Sequence, residues 1–279
     1  MVNITKYFET TKHAIDGGEV ELEFRPYLGM SQIGEECARA LWYSFRWMYR
    51  DTTSPRMVRL WNRGHREEPE LIKELERIGM TCSGDQAEML AAWGHMKGHR
   101  DGVGIGVIEA PKTPHLLEFK TLSDKNFKKL QKVKLAKYSS KYWAQVHCYM
   151  KFGKLTRCLF IAVNKNDDDL YIERIHYDKN VAEDMIRKGE FIVQSDVPPA
   201  RAYSTKTFFA CKWCPANSIC WEGAEPQKNC RTCKYGNPLT GENAGMQGTW
   251  VCTLPDEFVT IPLEIQRTGC KNYVRKEST

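Results

Sequence analysis

No apolar run in the 279-residue chain approaches the roughly 20 residues that a membrane-spanning helix needs. The N-terminal sequence MVNITKYFETTKHAIDGGEVE lacks the positively charged and then apolar profile of a secretory signal. Internal repeats and low-complexity segments are also missing. We therefore expect a protein that has no membrane partner and works in the cytoplasm.

A strong excess of one charge sign is absent too, since 41 Lys and Arg residues stand against 35 Asp and Glu residues. A net charge of +6 is modest for this length, so overall charge alone does not identify a nucleic-acid-binding protein. Domains usually hold about 100–200 residues, so we expect one core domain with a small appended module.

Cysteine is plentiful, with 11 residues. In a short secreted chain this would suggest disulfides, but thiols stay reduced in the cytoplasm, where clustered cysteines more often bind metal. Cys82, Cys148 and Cys158 lie in or beside apolar stretches and are predicted to be core thiols. The other eight are candidate ligands.

Periodicity predicts an α/β order of helices and strands. We expect a helix over residues 31–50 that begins at a Ser31 cap, with Ile33, Cys37, Leu41 and Phe45 on one apolar face. A second helix over residues 56–79 should kink or restart at Glu68–Pro69. Further along, the pattern predicts a strand hairpin over residues 98–121, a helix over 139–152, a strand pair around the turn at 164–169 and a helix over 178–189.

The tripeptide Glu118-Phe119-Lys120 lies in the second arm of this hairpin. Side chains alternate along a strand, so Glu118 and Lys120 should share one face while Phe119 points into the core. Phosphodiester hydrolysis needs a hard cation on oxygen ligands, which Glu118 and Asp101 would supply. Lys120 would position the water or offset charge in the transition state. Alone, the Glu-x-Lys pattern is most often a solvated strand face.

Further motifs make the pattern more specific. Asp101-Gly102 precedes Glu118 by seventeen residues, Gly64-x-x-x-Glu68-Pro69 lies on an earlier helix, and Gln145-x-x-x-Tyr149 shares one face of a later helix. Together these motifs resemble the RecB-like branch of PD-(D/E)xK nucleases, which includes lambda-type and YqaJ-type phage exonucleases. The resemblance covers about residues 31–220.

The resemblance implies a restriction-endonuclease-like core, a mixed sheet flanked by helices, that hydrolyses DNA with Mg²⁺ or Mn²⁺. By that resemblance Glu68, Asp101, Glu118 and the backbone carbonyl of Phe119 are metal ligands, with Lys120 beside them, and Gln145 and Tyr149 support the site and the DNA. His65 is an alternative to Glu68, because some iron–sulfur members use histidine at that place. A phage-encoded enzyme acting in the host cytoplasm fits this branch.

The first cysteine set is Cys211-x₂-Cys214-x₅-Cys220, three thiolates at close spacing. Cys37-x-Arg39, followed by aromatic residues, resembles the N-terminal helix of the iron–sulfur nucleases of the CRISPR-adaptation and AddAB kind. In those nucleases one N-terminal cysteine joins three C-terminal cysteines on a [4Fe–4S] cluster. A zinc site with the same ligands and ordinary buried thiols are the alternatives.

The second cysteine set comprises Cys230, Cys233, Cys252 and Cys270. Two close thiolates followed by two distant ones are typical of a small structural Zn²⁺ site. We therefore divide the chain into a nuclease domain with an iron–sulfur cluster, residues 1–225, and a cysteine-rich zinc-binding module, residues 226–279. So small a module buries little core, so metal binding should supply its folding energy.

DNA is the predicted partner. Six lysines at 125–137, with Arg56, Arg59, Arg63 and Arg66, are placed to neutralise phosphates, and Trp42, Tyr43, Trp47 and Tyr49 would stack on bases where exposed. No separate sequence-reading module is visible, which favours an exonuclease. The alternatives are a DNA-end-processing or DNA-binding partner in a recombination or adaptation complex, a homo-oligomer included, and a zinc-finger-like regulator.

Overall fold

The structure is a computed structural model that describes residues 12–84, 86–254 and 258–276. Part of the N-terminal sequence used above to exclude a secretory signal lies outside these ranges. The helices are α1 (Ala38–Phe45), α2 (Pro55–Arg77), α3 (Asp124–Tyr138), α4 (Ser140–Phe152), α5 (Lys179–Gln194), α6 (Phe209–Lys212), α7 (Asn217–Glu222) and α8 (Leu263–Thr268). The strands are β1 (Val20–Glu21), β2 (Leu28–Gly29), β3 (Thr52–Thr53), β4 (Thr81–Ser83), β5 (Glu88–Ala91), β6 (Met96–His99), β7 (Gly102–Ile105), β8 (His115–Leu122), β9 (Arg157–Asn164), β10 (Leu170–His176), β11 (Gly236–Pro238), β12 (Trp250–Cys252) and β13 (Val259–Thr260).

The main sheet has five strands in the order β10-β9-β8-β7-β4. Strands β8 and β9 pair in parallel, with Leu116 opposite Cys158, and the other neighbours are antiparallel. This mixed sheet confirms the predicted α/β class. The predicted hairpin is β7–β8 and the predicted strand pair is β9–β10, each with a turn-forming segment between its strands.

Helices cover both faces of this sheet. On one face, Leu71 and Leu75 of α2 pack with Leu117 and Phe119 of β8. On the other, α4 belongs to a larger apolar cluster that includes Leu116 and Phe160. Because β8 is covered on both sides, every residue on its Leu116–Phe119 segment is buried. Phe119 therefore points into the core, as the alternation of the strand predicts.

Helix α1 is shorter than predicted. The structure has a 3₁₀ turn at Met30–Gln32, and the α-helix begins only after Cys37. Gly34 gives the reason: a Cβ there would lie 2.3 Å from the carbonyl oxygen of Ser140. Residues 30–37 thus follow the start of α4 closely instead of continuing a helical path. The predicted cap at Ser31 is wrong, although Ile33, Leu41 and Phe45 are buried as expected.

Helix α2 passes through Pro69 as one helix, so the predicted restart at Glu68–Pro69 is wrong. It begins with Ser54, whose hydroxyl accepts a hydrogen bond from the Met57 amide, and with Pro55 in the first turn. Leu71 and Leu75 pack on the sheet just beyond the proline. Packing of this segment offsets the missing amide of Pro69.

The C-terminal residues pack on the first half of the chain. Trp250 of β12 is fully buried in the same apolar cluster as Phe45, and Ile261 belongs to it as well. The division at residue 225 stays a prediction, and this shared cluster argues against an independent tail.

Within the described residues, no helix is both long and apolar enough to cross a membrane.

Aromatic residues that were predicted to stack on bases where exposed are part of this junction, together with two arginines. Trp42, Tyr43 and Trp47 are buried, and so are Arg39 and Arg46. The guanidinium of Arg46 lies 5.1 Å from the ring centre of Trp42 and donates to the carbonyl oxygen of Arg231. These three rings therefore serve packing, and of the four aromatic residues only the half-buried Tyr49 is left for the predicted stacking on bases.

Candidate functional site

Asp101 and Glu118 meet at the start of the β7–β8 hairpin. Gly102 pairs with Leu117, so the same register places Asp101 across from Glu118. One carboxylate oxygen of Asp101 accepts a hydrogen bond of 2.9 Å from the backbone amide of Phe119. The two carboxylates, seventeen residues apart in sequence, thus lie close together, with Asp101 directly before β7 and Glu118 within β8.

Glu118 is completely buried beside Lys120, whose ammonium group donates to its carboxylate. The other oxygen, Oε2, has no hydrogen-bond partner among the described residues. Burial raises the pKa of Glu118 above its usual value, Lys120 opposes this effect, and the charges of Asp101 and Glu68 add to it. Lys120 is held as a cation, because Glu118 and Asp101 outweigh its desolvation and raise its pKa.

Glu68 is the third carboxylate of the group and comes from α2. Burial raises its pKa, and the negative charge of Asp101 raises it further, whereas His65 and Lys120 lower it. The side chain of Glu68 is 24% exposed, whereas that of His65 is 75% exposed, and the two lie 3.5 Å apart. Glu68 therefore faces the carboxylates while His65 lies toward solvent, and which of them binds metal stays a prediction.

Gln145 and Tyr149 lie on α4 and are both buried, next to the Glu118 face of β8. Tyr149 has a side-chain hydrogen bond with Gln145, and its pKa is raised by burial and then by the charge of Glu118. Gly98 makes room for this tyrosine, since a Cβ at that position would lie 2.5 Å from its ring. The structure thus brings this predicted pair to the carboxylates.

A cleft of ≈ 370 Å³ opens beside these groups, and we call it the carboxylate cleft. Sequence reasoning did not single out three of its lining residues: Trp61, Tyr142 and Lys165. The Lys120 ammonium lies 5.2 Å from the ring centre of Tyr142. Tyr142 was open to detection, because it precedes Gln145 by three residues on the same helix. Lys165 follows the end of β9 and had no sequence signal.

The basic residues of α2 are partly engaged in ion pairs. Arg59 pairs with Asp16, and Arg63 pairs with Glu67 and Asp168. Helix α3 carries the six lysines, of which Lys128 pairs with Asp124. The path of DNA over these two helices remains a prediction.

The first cysteine set comes together around Cys214. Burial raises the pKa of its thiol, and the neighbouring charges of Cys37, Cys220 and Cys211 raise it further. The amide nitrogen of Cys214 donates a hydrogen bond of 3.0 Å to the carbonyl oxygen of Cys211, which closes a tight turn. Cys37 is the N-cap of α1, so the N-terminal and C-terminal parts of the chain meet at these four thiols.

The second set lines one small cavity that contains Cys230, Cys233, Cys252 and Cys270. Burial raises the pKa of Cys230 to about 11, and the charges of Cys270, Cys233 and Cys252 contribute in that order. As positioned, no three His, Cys, Asp or Glu side chains of the described residues form a ready-made metal site. This holds for both cysteine sets and equally for the carboxylates of Glu68, Asp101 and Glu118. Cys148 and Cys158 are buried core thiols, as predicted, and Cys82 is half-buried.

Comparisons with known proteins give remote likenesses. No protein-family model and no curated protein matches the chain. The crystal structure of SSO0001 has a TM-score of 0.44 and 13% identity and covers 79% of this chain and 97% of its own. The crystal structure of LHK-Exo in complex with dAMP has the same score and identity and covers 60% and 86%. A crystal structure of the alkaline exonuclease LHK-Exo from Laribacter hongkongensis, with 12% identity and a TM-score of 0.44, covers 61% and 87%.

Proposed function

We propose that the protein is a divalent-metal-dependent deoxyribonuclease of the PD-(D/E)xK class that degrades DNA from an end. The observation that carries the proposal is Glu118, a fully buried carboxylate next to Asp101 with one oxygen lacking a partner. A buried oxygen of this kind is costly unless something binds it. A hard cation on Glu118, Asp101 and Glu68 would satisfy it, which fits the donor set to Mg²⁺ or Mn²⁺.

The residues around this group have separate roles. Glu68, Asp101, Glu118 and the carbonyl of Phe119 would hold the ion, which would polarise the scissile phosphate and acidify an attacking water. Lys120 stays cationic beside them and would offset negative charge that develops on the phosphate. Gln145 and Tyr149 would support the site from α4, where the charge of Glu118 raises the pKa of Tyr149.

The cysteine sets would supply stability. Cys37, Cys211, Cys214 and Cys220 would fit a [4Fe–4S] cluster by donor type, since the other three lie close enough to Cys214 for their charges to raise the pKa of its thiol. The second set would fit Zn²⁺ by donor type, since Cys270, Cys233 and Cys252 lie close enough to Cys230 for their charges to raise the pKa of its thiol. A link from Cys37 to the residues 211–220 closes a long loop and would restrict the unfolded chain.

Metal analysis of protein purified without oxygen tests these assignments. We expect brown protein with about four iron atoms, and we expect Cys37→Ser to lose the iron as completely as Cys214→Ser. Cys233→Ser, the matched control in the other set, should keep it and lose zinc. Colourless protein that holds zinc and no iron would contradict the cluster assignment.

DNA ends test the proposed activity. The full-length protein with Mn²⁺ should shorten an end-labelled linear duplex and leave a covalently closed circle of the same sequence intact. If the protein cut the closed circle as well as the linear duplex, it would be an endonuclease and not an exonuclease. Binding of the linear duplex without any cutting would favour the DNA-binding partner of a recombination or adaptation complex.

A further inference from the structure

A second cavity of ≈ 560 Å³, which we call the aromatic cavity, lies next to the carboxylate cleft. Trp61 and His65 of α2 line both. Its volume is in the range of small-molecule sites, which are usually about 300–1,000 Å³. The catalytic role proposed above gives this cavity no function, so its chemistry is open to inference.

One wall of the aromatic cavity is a rigid aromatic stack. The rings of Phe24 and Trp47 lie 5.0 Å apart and nearly parallel, and both line the cavity. Trp47 is fixed on two sides: its indole nitrogen donates to the carbonyl oxygen of Arg25 at 2.7 Å, and the guanidinium of Arg231 lies 3.7 Å from its ring centre. Trp47 is itself buried, so the half-buried ring of Phe24, backed by this fixed indole, is the part of the wall that a ligand can contact without a large ordering cost.

Trp61 connects this wall to the catalytic group. It is 43% exposed, and it precedes His65 by four and Glu68 by seven residues on α2. The three side chains therefore share one face of the helix, over roughly 10 Å of its axis at ~1.5 Å per residue. A short unpaired stretch of DNA held at Glu68 would reach Trp61.

The remaining lining is mostly polar or charged: besides the apolar Leu22 it includes neutral polar side chains, the cation of Arg25 and the carboxylates of Glu23 and Asp51. Gln32 supplies an amide and Thr52 and Thr53 supply hydroxyl groups, so donors and acceptors stand around the aromatic wall. A nucleobase is flat, has aromatic faces and carries donors and acceptors at its edge, which is the ligand that such a lining matches. We propose that the aromatic cavity binds the unpaired terminal nucleobase of the DNA strand that is cut at Glu118. This inference rests on the proposed nuclease function for the identity of the strand.

The test uses full-length protein and matched oligonucleotides. Duplexes with a single-stranded end carry, as their last nucleotide, either thymine or an abasic site, placed at the 5′ end in one pair and at the 3′ end in another. Affinity is measured without added divalent cation. Wild-type protein should bind the abasic form about tenfold more weakly at one of the two ends, as expected for loss of one base–aromatic stack.

The variants show whether the cavity causes this preference. Trp61→Ala should lose it and bind both forms as wild type binds the abasic one, whereas Trp61→Phe should keep it. Phe191→Ala is the control, because Phe191 is an exposed aromatic residue that lines neither cavity. The inference would be overturned if wild-type protein bound the thymine and abasic forms equally well at the 5′ end and also at the 3′ end. An undiminished preference for thymine in Trp61→Ala would overturn it too.

The same oligonucleotides with Mn²⁺ separate this inference from the proposed function. If wild-type protein cuts DNA without preferring a terminal base, only the role of the cavity fails. If it prefers the base but cuts nothing, the nuclease function fails while the nucleobase site remains.

Discussion

Arg231 should be the strongest single connection between the cysteine-rich tail and the core. Its side chain is 1% exposed, and its guanidinium lies 3.7 Å from the ring centre of Trp47 and 4.5 Å from that of Trp250. It donates to the carbonyl oxygens of Phe45 and Pro26 and to the side chain of Gln266, at 2.9–3.0 Å. Burial lowers its pKa well below the usual value, so the surrounding contacts have to offset a real desolvation cost.

Arg231→Ala removes these contacts and leaves two buried acceptors and one part-buried acceptor without this donor. Each unsatisfied acceptor costs about 1–3 kcal/mol, and a desolvated cation–π contact contributes about 2 kcal/mol, against which the relieved desolvation of Arg231 must be set. We expect a net loss of about 4 kcal/mol in the free energy of unfolding, a large part of the usual total of about 5–15 kcal/mol. Arg231→Met should lose less, because it refills the volume between the two indole rings.

Urea unfolding of the full-length protein measures this loss, with the metal content of all samples matched. Arg267→Ala is the control, since Arg267 is an exposed arginine of the same tail, and it should change stability by less than about 0.5 kcal/mol. Amide exchange should also speed up in β11 and β12 of Arg231→Ala. A loss of under about 1 kcal/mol would refute the role of Arg231 as a connection.

Three further predictions concern pH, packing and metal binding. His95 is fully buried and burial lowers its pKa to about 4, so the unfolded chain binds more protons than the folded chain between about pH 4 and 6.5. At pH 5 this group should therefore lower the free energy of unfolding by about 2 kcal/mol relative to neutral pH. His95→Gln keeps a donor for the Leu239 carbonyl and should lose that part of the acid dependence in urea titrations. Gly98→Ala should destabilise the protein by an overpacking cost of about 1–3 kcal/mol and so lower its melting temperature, because the new Cβ would meet the ring of Tyr149. Gly64→Ala should not lower the melting temperature, since a Cβ there meets nothing nearer than 3.8 Å. Equal melting temperatures of the two variants would contradict the close packing of Tyr149. Glu68→Gln should weaken Mn²⁺ binding by about tenfold in calorimetric titration while His65→Gln leaves it unchanged, and the reverse order would make His65 the ligand.

The sequence predicted the elements whose signals are local. The β7–β8 hairpin follows from two β-prone runs around a Pro-containing turn, and the end of α4 at Gly153 follows from a breaker after an apolar helix. The relation of Asp101 to Glu118 was also within reach, because hairpin register follows from the turn and the alternation. These features depend on neighbours in the chain.

What the sequence did not predict depends on contacts between distant segments. The late start of α1 results from the close approach of Gly34 to Ser140, more than one hundred residues away. Arg46 and Arg231 carry no sequence signal for burial, yet both are buried between aromatic rings contributed by both ends of the chain. Trp61 lies in the predicted helix over residues 56–79, and only the tertiary fold places it between two cavities. Sequence spacing gives no information on such contacts.

The central claim is that Glu118 holds the cation of a DNA-cleaving centre. Its most direct measurement is the rate at which Glu118→Gln shortens a linear duplex in Mn²⁺, compared with wild type and with Cys82→Ser as a control outside the proposed ligand sets. Gln fills the same volume but lacks the anionic oxygen, so we expect the rate to fall by at least about a hundredfold at unchanged melting temperature. Glu118→Gln protein that cuts DNA at the wild-type rate would contradict the assignment.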